Sequence, residues 1–244
     1  MLFLKDRYEY YQLKKNIRGV LFDVDGTMYH QAPLRIIMIF LILLNHLFVP
    51  IILIRNLKII RIFRHAQELL RKEDRYLFRP LIEQIRLTSN STGIPENVIS
   101  EVVQEWFFDK PKLYIPFFKR GGIKKTLKWL NKKGFKLGVF SDYPSSEKLK
   151  ALDIADFFDV IIDADDQNLR GFKPHTNGYI LAAETMGLDP SEILYVGDRP
   201  DVDAEGALKN GMHSVIIGSV PQKKNTLSFL KIKSFLQLKE LLLQ

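Results

Sequence analysis

The sequence predicts an α/β protein, in which a Rossmann-like, doubly wound parallel sheet carries an α-helical domain inserted after its first strand. From residue 121 onward, short apolar runs alternate with amphipathic segments, which is typical of parallel strands joined by helices. Between the first strand and this region, an apolar stretch at 34–54 is followed by a predicted helix that continues through 64–90 and by another at 95–108, and residues 109–118 are expected to be irregular. Polar residues come directly after several predicted strands, where sites form in sheets of this kind.

Short apolar runs give the predicted strands, and glycines give several helix ends. The first strand is predicted at residues 20–22, and a helix at 123–133 ends before Gly134. Helices at 176–186 and 202–209 are closed by Gly187 and Gly211. Further strands are predicted at 136–140, 160–162, 193–196 and 215–217, a short helix begins near 145, and a last helix covers 234–243.

Composition limits the class of partner. The chain has 244 residues, 46% of them hydrophobic, and it contains no cysteine, so disulfide and thiolate chemistry are excluded. A formal net charge of +8 favours anionic partners such as phosphate esters, nucleic acid or anionic lipid. No cluster of basic and aromatic residues resembles a nucleic-acid module, so we expect no nucleic-acid partner. Residues 1–17 lack the apolar core of a signal peptide, and we expect a cytoplasmic protein with a short N-terminal lead-in.

Two carboxylates follow the first predicted strand. Asp23 and Asp25 are one residue apart and precede Gly26 and Thr27. If Asp23 ends the strand, both carboxylates can face one small space above its tip, and Gly26 permits a tight turn. Two carboxylates this close repel each other unless a cation or a proton reduces their negative charge. Carboxylate oxygens are suitable ligands for Mg2+. One carboxylate at such a metal can attack phosphorus while the other transfers a proton.

Three later stretches place further polar residues after predicted strands or in loops. Ser141 and Asp142 follow the strand at 136–140, and a hydroxyl with neighbouring amides can bind phosphate oxygens. Lys173 precedes a proline and can neutralise a phosphate together with Asp23. Asp198 and Asp203 follow the strand at 193–196, in a loop suited to metal coordination. Each stretch alone is also compatible with an ordinary turn, a surface lysine or a solvated acidic loop.

In order and spacing, these four stretches resemble the haloacid dehalogenase-like superfamily of aspartate-nucleophile phosphohydrolases. The resemblance covers residues 18–31 and 117–220. It implies a catalytic core made of residues 1–31 and 116–244, with residues 32–115 forming a helical cap of the C1 type. The cap of this family closes over the site and selects the substrate.

The resemblance also assigns roles to matching positions. Asp23 is expected to be the nucleophile and to form an aspartyl-phosphate, and Asp25 to protonate the leaving group and then activate water. Ser141 and Lys173 are expected to bind the phosphoryl group. Mg2+ is expected to be held by Asp23, by the backbone carbonyl of Asp25 and by Asp198. Supporting roles are expected for Thr27, Asp142 and Asp203, whereas Asp201 is expected to be an ordinary loop acid and His175 a structural residue at a helix start.

Residues 34–64 have two interpretations. Residues 34–54 are almost continuously apolar, and Arg55, Lys58, Arg61 and Arg64 then recur at three-residue spacing. A single membrane span would separate Asp23 from the later motifs, so a complete crossing is excluded. We favour two cap helices, joined at Pro50, whose apolar faces pack on each other and on a later helix near residues 96–108. The alternative is an interfacial helix on anionic lipid, with the basic row facing the membrane.

The predicted function is that of a magnesium-dependent phosphatase acting on a small organic phosphate monoester. Asp25 argues against a dehalogenase, because dehalogenases of this superfamily generally lack the second acid. Three alternatives stay open: a membrane-surface phosphatase acting on a lipid-linked phosphate, a phosphomutase, and a non-catalytic binding module on the same scaffold. The predicted partners are a small phosphorylated substrate and, through residues 34–64, a peripheral contact with anionic membrane.

Overall fold

A computed structural model describes residues 16–73, 76–218 and 229–243 of the chain. Six parallel strands form one sheet in the order β3-β2-β1-β4-β5-β6. The strands are β1 (Gly19–Phe22), β2 (Lys136–Phe140), β3 (Val160–Ile162), β4 (Ile193–Gly197), β5 (His213–Ile217) and β6 (Leu230–Ile232).

The central strand β1 is buried on both faces, as its continuous apolar run predicts. After β1 the chain builds β2 and β3 on one side, and it then returns to place β4 on the other side of β1. The strand order therefore reverses between β1 and β4, which is where a crevice opens at the carboxyl ends of such a sheet. Asp23 follows β1 and Asp198 follows β4, so both acids lie at this crevice.

Helices cover both faces of the sheet and form two apolar layers with it. Val20, Phe22 and Val139 pack on one face with the helix that contains Leu127, and Leu21 and Tyr195 pack on the other. The helices of this part are α6 (Ile123–Lys132), α7 (Ser146–Ala151), α8 (Thr176–Met186), α9 (Glu205–Lys209) and α10 (Phe235–Leu243).

The inserted region is helical and has an apolar core of its own. Ile42, Ile59, Phe63 and Trp106 are buried in it, and Tyr143 from the loop after β2 joins them. The helices are α1 (Gln31–Asn45), α2 (Pro50–Leu70), α3 (Pro80–Thr92), α4 (Glu96–Val103) and α5 (Lys110–Tyr114), with a π-helical segment at Gln104–Asp109 and a 3-10 turn at Ile115–Phe118.

The two segments that connect the sheet region to the helical region lie side by side. Tyr29 and Lys119 form an isolated antiparallel bridge. The amide of His30 donates to the carbonyl of Phe118 at 2.9 Å, and the amide of Arg120 donates to the carbonyl of Met28 at 2.9 Å. The chain therefore enters and leaves the helical region through one narrow connection.

Several local predictions were wrong. Residues 64–90 were expected to be one helix, but α2 ends at Leu70 and α3 begins only at Pro80, because proline favours the first turn of a new helix. Residues 109–118 were expected to be irregular, yet they are helical, since each proline there occupies a first turn. Strand β6 was not predicted, and most of the N-terminal lead-in, residues 1–15, lies outside the described residues.

The predicted packing of the apolar faces of α1 and α2 holds only for their inner sides, where Ile42 and Ile59 share one apolar cluster with Trp106 of the later segment. Helix α1 buries only Leu34 and Ile42, while Phe48 in the following loop is 93% exposed. Just after α1 ends, the side chains of His46 and Asn56 add a polar contact, 3.3 Å apart. In the part of the chain that the structure describes, no helix is long and apolar enough to cross a membrane, as predicted for residues 34–64.

Candidate active site

The sheet brings four of the predicted motifs to one edge. Asp23 follows β1, Asp142 follows β2 and Asp198 follows β4, and Lys173 reaches the same place from the loop before α8. These residues are far apart in sequence, and they meet because parallel strands end at the same side of a sheet.

Asp23 is held through both of its carboxylate oxygens. The Nζ of Lys173 lies 2.6 Å from Oδ1, and the hydroxyl of Thr27 donates to Oδ2 at 2.8 Å. Burial raises the pKa of Asp23 to about 7, against the attraction of Lys173 and with added repulsion from Asp203. The carboxylate is thus fixed in orientation, and its negative charge is poorly compensated by the protein alone.

Lys173 is buried among acceptors. Its Nζ lies 2.8 Å from Oδ1 of Asp203 and 3.0 Å from the hydroxyl of Tyr195, in addition to Asp23. Burial disfavours the charged ammonium, but Asp203 and Asp23 raise the pKa of Lys173 well above its ordinary value. The side chain is therefore a permanent cation beside Asp23.

Three carboxylates fit the donor set of a hard cation. One oxygen each from Asp23, Asp198 and Asp203 lies within 4.8 Å of the other two. Burial, with repulsion from Asp23 and Asp203, raises the pKa of Asp198 to about 8. Such a concentration of buried negative charge is stabilised by a cation with oxygen ligands, and Mg2+ is of this type.

Asp203 differs from the other two acids, because the protein already occupies its oxygens. Oδ1 accepts from Lys173, and Oδ2 accepts from the amides of Asp198 at 3.1 Å and Arg199 at 3.0 Å. This arrangement fixes the loop that carries Asp198. Gly26 allows Asp198 to approach closely, since a Cβ at residue 26 would lie 2.1 Å from Oδ2 of Asp198.

The carboxylate of Asp25 faces a lysine that sequence reasoning missed. The Nζ of Lys148, from α7, lies 2.8 Å from Oδ1 and 2.6 Å from Oδ2 of Asp25, and the hydroxyl of Tyr29 also donates to Oδ1. Burial by itself raises the pKa of Asp25, but the charge and hydrogen bonds of Lys148 and the Tyr29 hydrogen bond lower it below its usual value. Lys148 is only 5% exposed. From the sequence, a lysine on a short lysine-rich helix would be expected to face solvent.

Ser141 and Asp142 are neighbours in sequence, but their side chains contact different parts of the protein. Ser141 is buried, and its hydroxyl accepts from the amide of Tyr143 at 3.3 Å. Asp142 links two regions, because Oδ1 accepts from the amide of Lys173 at 2.8 Å and Oδ2 from Arg71 at 2.6 Å. Asp142 thus ties the Lys173 loop to the end of helix α2.

A cavity of about 910 Å³ lies between the sheet edge and the helical region. Asp23, Asp25 and Asp198 line its base, and Ser141 is absent from its lining. The helical wall contributes three arginines: Arg35 from α1 and Arg61 and Arg64 from α2. Arg55, Lys58 and Arg61 are exposed, as expected of a basic row that faces solvent or a membrane surface, whereas Arg64 is half-buried. Apolar residues complete this wall: Leu34, Met38, Ile39, Ile42, Leu57, Ile60, Trp106 and Phe107.

The fold and the site together define a class of protein: an α/β protein with a cluster of buried carboxylates at the carboxyl ends of its parallel strands. The model of the haloacid dehalogenase-like hydrolases matches residues 17–211, and the chain belongs to this family. The predicted family, α/β fold and phosphohydrolase class of enzyme are thereby confirmed.

Relatives and solved structures agree with this assignment. The chain is 29% identical over 205 residues to a phosphoglycolate phosphatase of Escherichia coli O157:H7, covering 79% of each chain. It is 35% identical over 132 residues to a phosphoglycolate phosphatase of Shigella boydii, a match spanning 52% of this chain and 46% of that relative. A solved HAD phosphatase from Thermococcus onnurineus has the same fold, with a TM-score of 0.58 at 21% identity over 93% of this chain and 98% of that one.

Proposed function

We propose that the protein is a magnesium-dependent phosphatase that hydrolyses a small organic phosphate monoester through an aspartyl-phosphate on Asp23. The observation that carries the proposal is the setting of Asp23 at the base of the cavity, with Lys173 at 2.6 Å and Asp198 beside it. A carboxylate held in place beside a permanent cation is arranged to attack an anionic phosphoryl group.

In the first step an oxygen of Asp23 attacks phosphorus, the bond from phosphorus to the ester oxygen breaks, and the leaving oxygen takes a proton. Lys173 stabilises the negative charge on the phosphoryl oxygens, and Thr27 keeps the attacking carboxylate in orientation. In the second step water attacks the aspartyl-phosphate, which releases inorganic phosphate and restores the Asp23 carboxylate.

Asp25 is proposed to supply the proton in the first step and to take one from water in the second. Lys148 and Tyr29 hold its carboxylate in the ionised form, which is the form that activates water. To act as an acid, Asp25 has to gain a proton, so the approach of substrate must weaken its contact with Lys148.

Mg2+ fits the carboxylates of Asp23 and Asp198, with Asp203 supporting Asp198 through the loop amides. When bound, the ion offsets the repulsion between these acids and a phosphate. Ser141 is proposed to bind a phosphoryl oxygen. Its hydroxyl now accepts a hydrogen bond from the Tyr143 amide, and it would have to turn away from this amide to donate to the ligand.

The arginines in the helical wall of the cavity favour a substrate that carries a second anionic group besides its phosphate. Among the described residues, Arg35, Arg61 and Arg64 form no ion pair, although all three line the cavity. An arginine without a carboxylate partner is suited to bind a carboxylate or phosphate of a ligand. Phosphoglycolate, named in the relatives, combines a phosphate ester with a carboxylate, and we propose this class of compound as substrate.

The proposal is tested with purified protein and a panel of phosphate monoesters, assayed for inorganic phosphate with and without Mg2+. We expect turnover that requires Mg2+, and loss of turnover in Asp23→Asn, because an amide cannot attack phosphorus. Asp156→Asn is the matched control, since Asp156 is an exposed acid away from the cavity. Full activity of Asp23→Asn would falsify the covalent route. Phosphate transfer without release of inorganic phosphate would indicate a mutase.

A further inference from the structure

An exposed apolar face extends across the helix pair of the cap. Eleven of the twenty large apolar side chains that are exposed in the described residues lie between Ile36 and Ile54. Phe48 is 93% exposed and Ile51 is 83% exposed. Single exposed apolar residues are ordinary, but a contiguous set of this kind marks an interaction surface. Ile39 lines the cavity as well, and the other ten form the α1–α2 apolar face: Ile36, Phe40, Leu43, Leu44, Leu47, Phe48, Val49, Ile51, Ile52 and Ile54.

The face is organised along the helices. On α1 the exposed residues Ile36, Phe40 and Leu43 follow at intervals of three or four, which is one stripe of the helix surface. On α2 the exposed positions Ile51 and Ile54 lie one turn before Arg55 and Lys58. The apolar face therefore ends in basic side chains on the same side of α2.

The charge of this region is of one sign. No aspartate or glutamate occurs between Asp25 and Glu68 in the sequence, whereas Arg55 and Lys58 are exposed and absent from the cavity lining. A partner for the face must accordingly offer an apolar layer bordered by negative charge. An anionic bilayer has this order, with acyl chains beneath acidic headgroups.

A second copy of the chain fits less well. A two-fold dimer would place the face against the same face of the other copy, which offers Arg55 and Lys58 only apolar or basic residues as partners. The one acidic residue of the helix pair, Glu68, lies near the end of α2 and pairs with Arg71 and Arg199, so it does not neutralise them. The described helices also include none that could cross a bilayer, so contact with lipid would be peripheral.

From this match of apolar area and charge, we infer that the α1–α2 apolar face docks on the surface of an anionic lipid bilayer. Phe48 and Ile51 enter the acyl boundary, and Arg55 and Lys58 bind headgroup phosphates with their aliphatic stems along the apolar layer. The opposite sides of α1 and α2 line the substrate cavity through Ile42 and Ile60, so docking places the cavity roof next to the membrane. This inference concerns binding and does not depend on the proposed catalytic chemistry.

The test is sedimentation of the full chain with vesicles of phosphatidylcholine alone or mixed with phosphatidylglycerol. We expect binding to the mixed vesicles, weakened by added salt, and little binding to phosphatidylcholine. Arg55→Gln with Lys58→Gln should weaken binding by about 30-fold, since each basic residue near an anionic surface contributes roughly fivefold. Phe48→Ser with Ile51→Ser should also reduce binding by more than tenfold.

Matched controls separate docking from general charge or hydrophobicity. Lys125→Gln with Lys128→Gln removes two exposed lysines of α6, and Ile180→Ser removes an exposed isoleucine of α8. Both controls should bind vesicles as the wild type does, and all variants should keep their thermal melting and their turnover of an aryl phosphate. Equal loss in the controls would overturn the inference.

Two other results would also overturn it. One is failure of the wild type to bind mixed vesicles, whatever its state of association. The other is a stable dimer in solution that Phe48→Ser with Ile51→Ser dissociates, together with vesicle binding that these substitutions leave unchanged. That second result would assign the face to a second copy of the chain.

Discussion

The ammonium of Lys148 lies 2.6 Å from Oδ2 of Asp25 and 2.8 Å from Oδ1, so one cation contacts both oxygens of the proposed acid–base residue. Both partners are largely buried, with side-chain exposures of 6% and 17%. The contact fixes the orientation of Asp25 and favours its ionised form. Lys148 is therefore a positioning residue in the proposed mechanism.

Lys148→Met tests this role through the pH dependence of turnover. Removing the cation should raise the pKa of Asp25, because burial remains and the main opposing charge is lost. The acidic limb of the kcat profile should therefore move to higher pH, and kcat should fall by about tenfold or more. Lys150→Met, on the same helix but exposed and paired with Glu147, should leave the profile in place. A fall in kcat without any shift of the acidic limb would reduce Lys148 to a packing role.

Mg2+ should stabilise the protein in a pH-dependent way. The pKa of Asp23 is raised to about 7 and that of Asp198 to about 8 in the folded protein. The unfolded chain therefore loses these protons first, and the metal-free fold becomes less stable as pH rises from the ordinary aspartate range through these values. Mg2+ binds the ionised carboxylates, so the increase in Tm that it causes should be larger near pH 8 than below pH 7.

Thermal melting with and without Mg2+ at each pH measures this effect without any assay of activity. Asp198→Asn should lose the response to Mg2+, and Asp156→Asn should keep it, since Asp156 is exposed and remote from the cluster. An increase in Tm that is the same at every pH would place the metal elsewhere.

Arg64 should determine affinity for a substrate with a second anionic group. Arg64→Met removes a cation from the cavity wall and leaves Asp23, Asp25 and Lys173 in place. Because a hydrogen bond to a charged group contributes about 1.5–3 kcal/mol, KM for phosphoglycolate should rise by roughly 10- to 100-fold with little change in kcat. The KM for p-nitrophenyl phosphate, which has no second anion, should change far less.

Arg18→Met is the control for this substitution. Arg18 is an exposed arginine paired with Glu192 and does not line the main cavity. Equal rises of KM for both substrates in Arg64→Met would mean that Arg64 acts on the phosphate itself.

Arg71 should stabilise the junction between cap and core. Its guanidinium contacts Oδ2 of Asp142 at 2.6 Å, and the two side chains are only 11% and 6% exposed. Arg71→Met leaves Asp142 as a buried carboxylate without its cation, which should cost about 3–5 kcal/mol of unfolding free energy. The exposed pair of Arg86 and Glu83 provides the comparison, and Arg86→Met should cost less than about 1 kcal/mol.

Urea unfolding of the two variants measures the difference. Adding Asp142→Asn to Arg71→Met should recover part of the lost stability, because the uncompensated charge is then removed. If the double variant is less stable than Arg71→Met alone, the hydrogen bond from the Lys173 amide to Asp142 is the more important contact.

The sequence alone determined the positions of strands β1 to β5 along the chain and the acidic residues that follow three of them. Asp23, Asp142 and Asp198 each follow an apolar run, and a parallel sheet brings such strand ends together regardless of how far apart they are in the chain. Glycines and prolines marked several helix ends for a similarly local reason, because their backbone preferences act within a few residues. Information of this kind is contained in short stretches of sequence.

Only the tertiary structure decided which side chains meet across elements. Lys148 looks like any lysine on a polar helix, and its contact with Asp25 depends on how α7 packs beside the β1 loop. The exposure of the α1–α2 apolar face was likewise missed, because an amphipathic sequence predicts that a helix has an apolar side and not which partner covers it. Arg61 and Arg64 line the cavity for the same reason, since the rotation of α2 is set by the burial of Ile59 and Phe63 in the cap core.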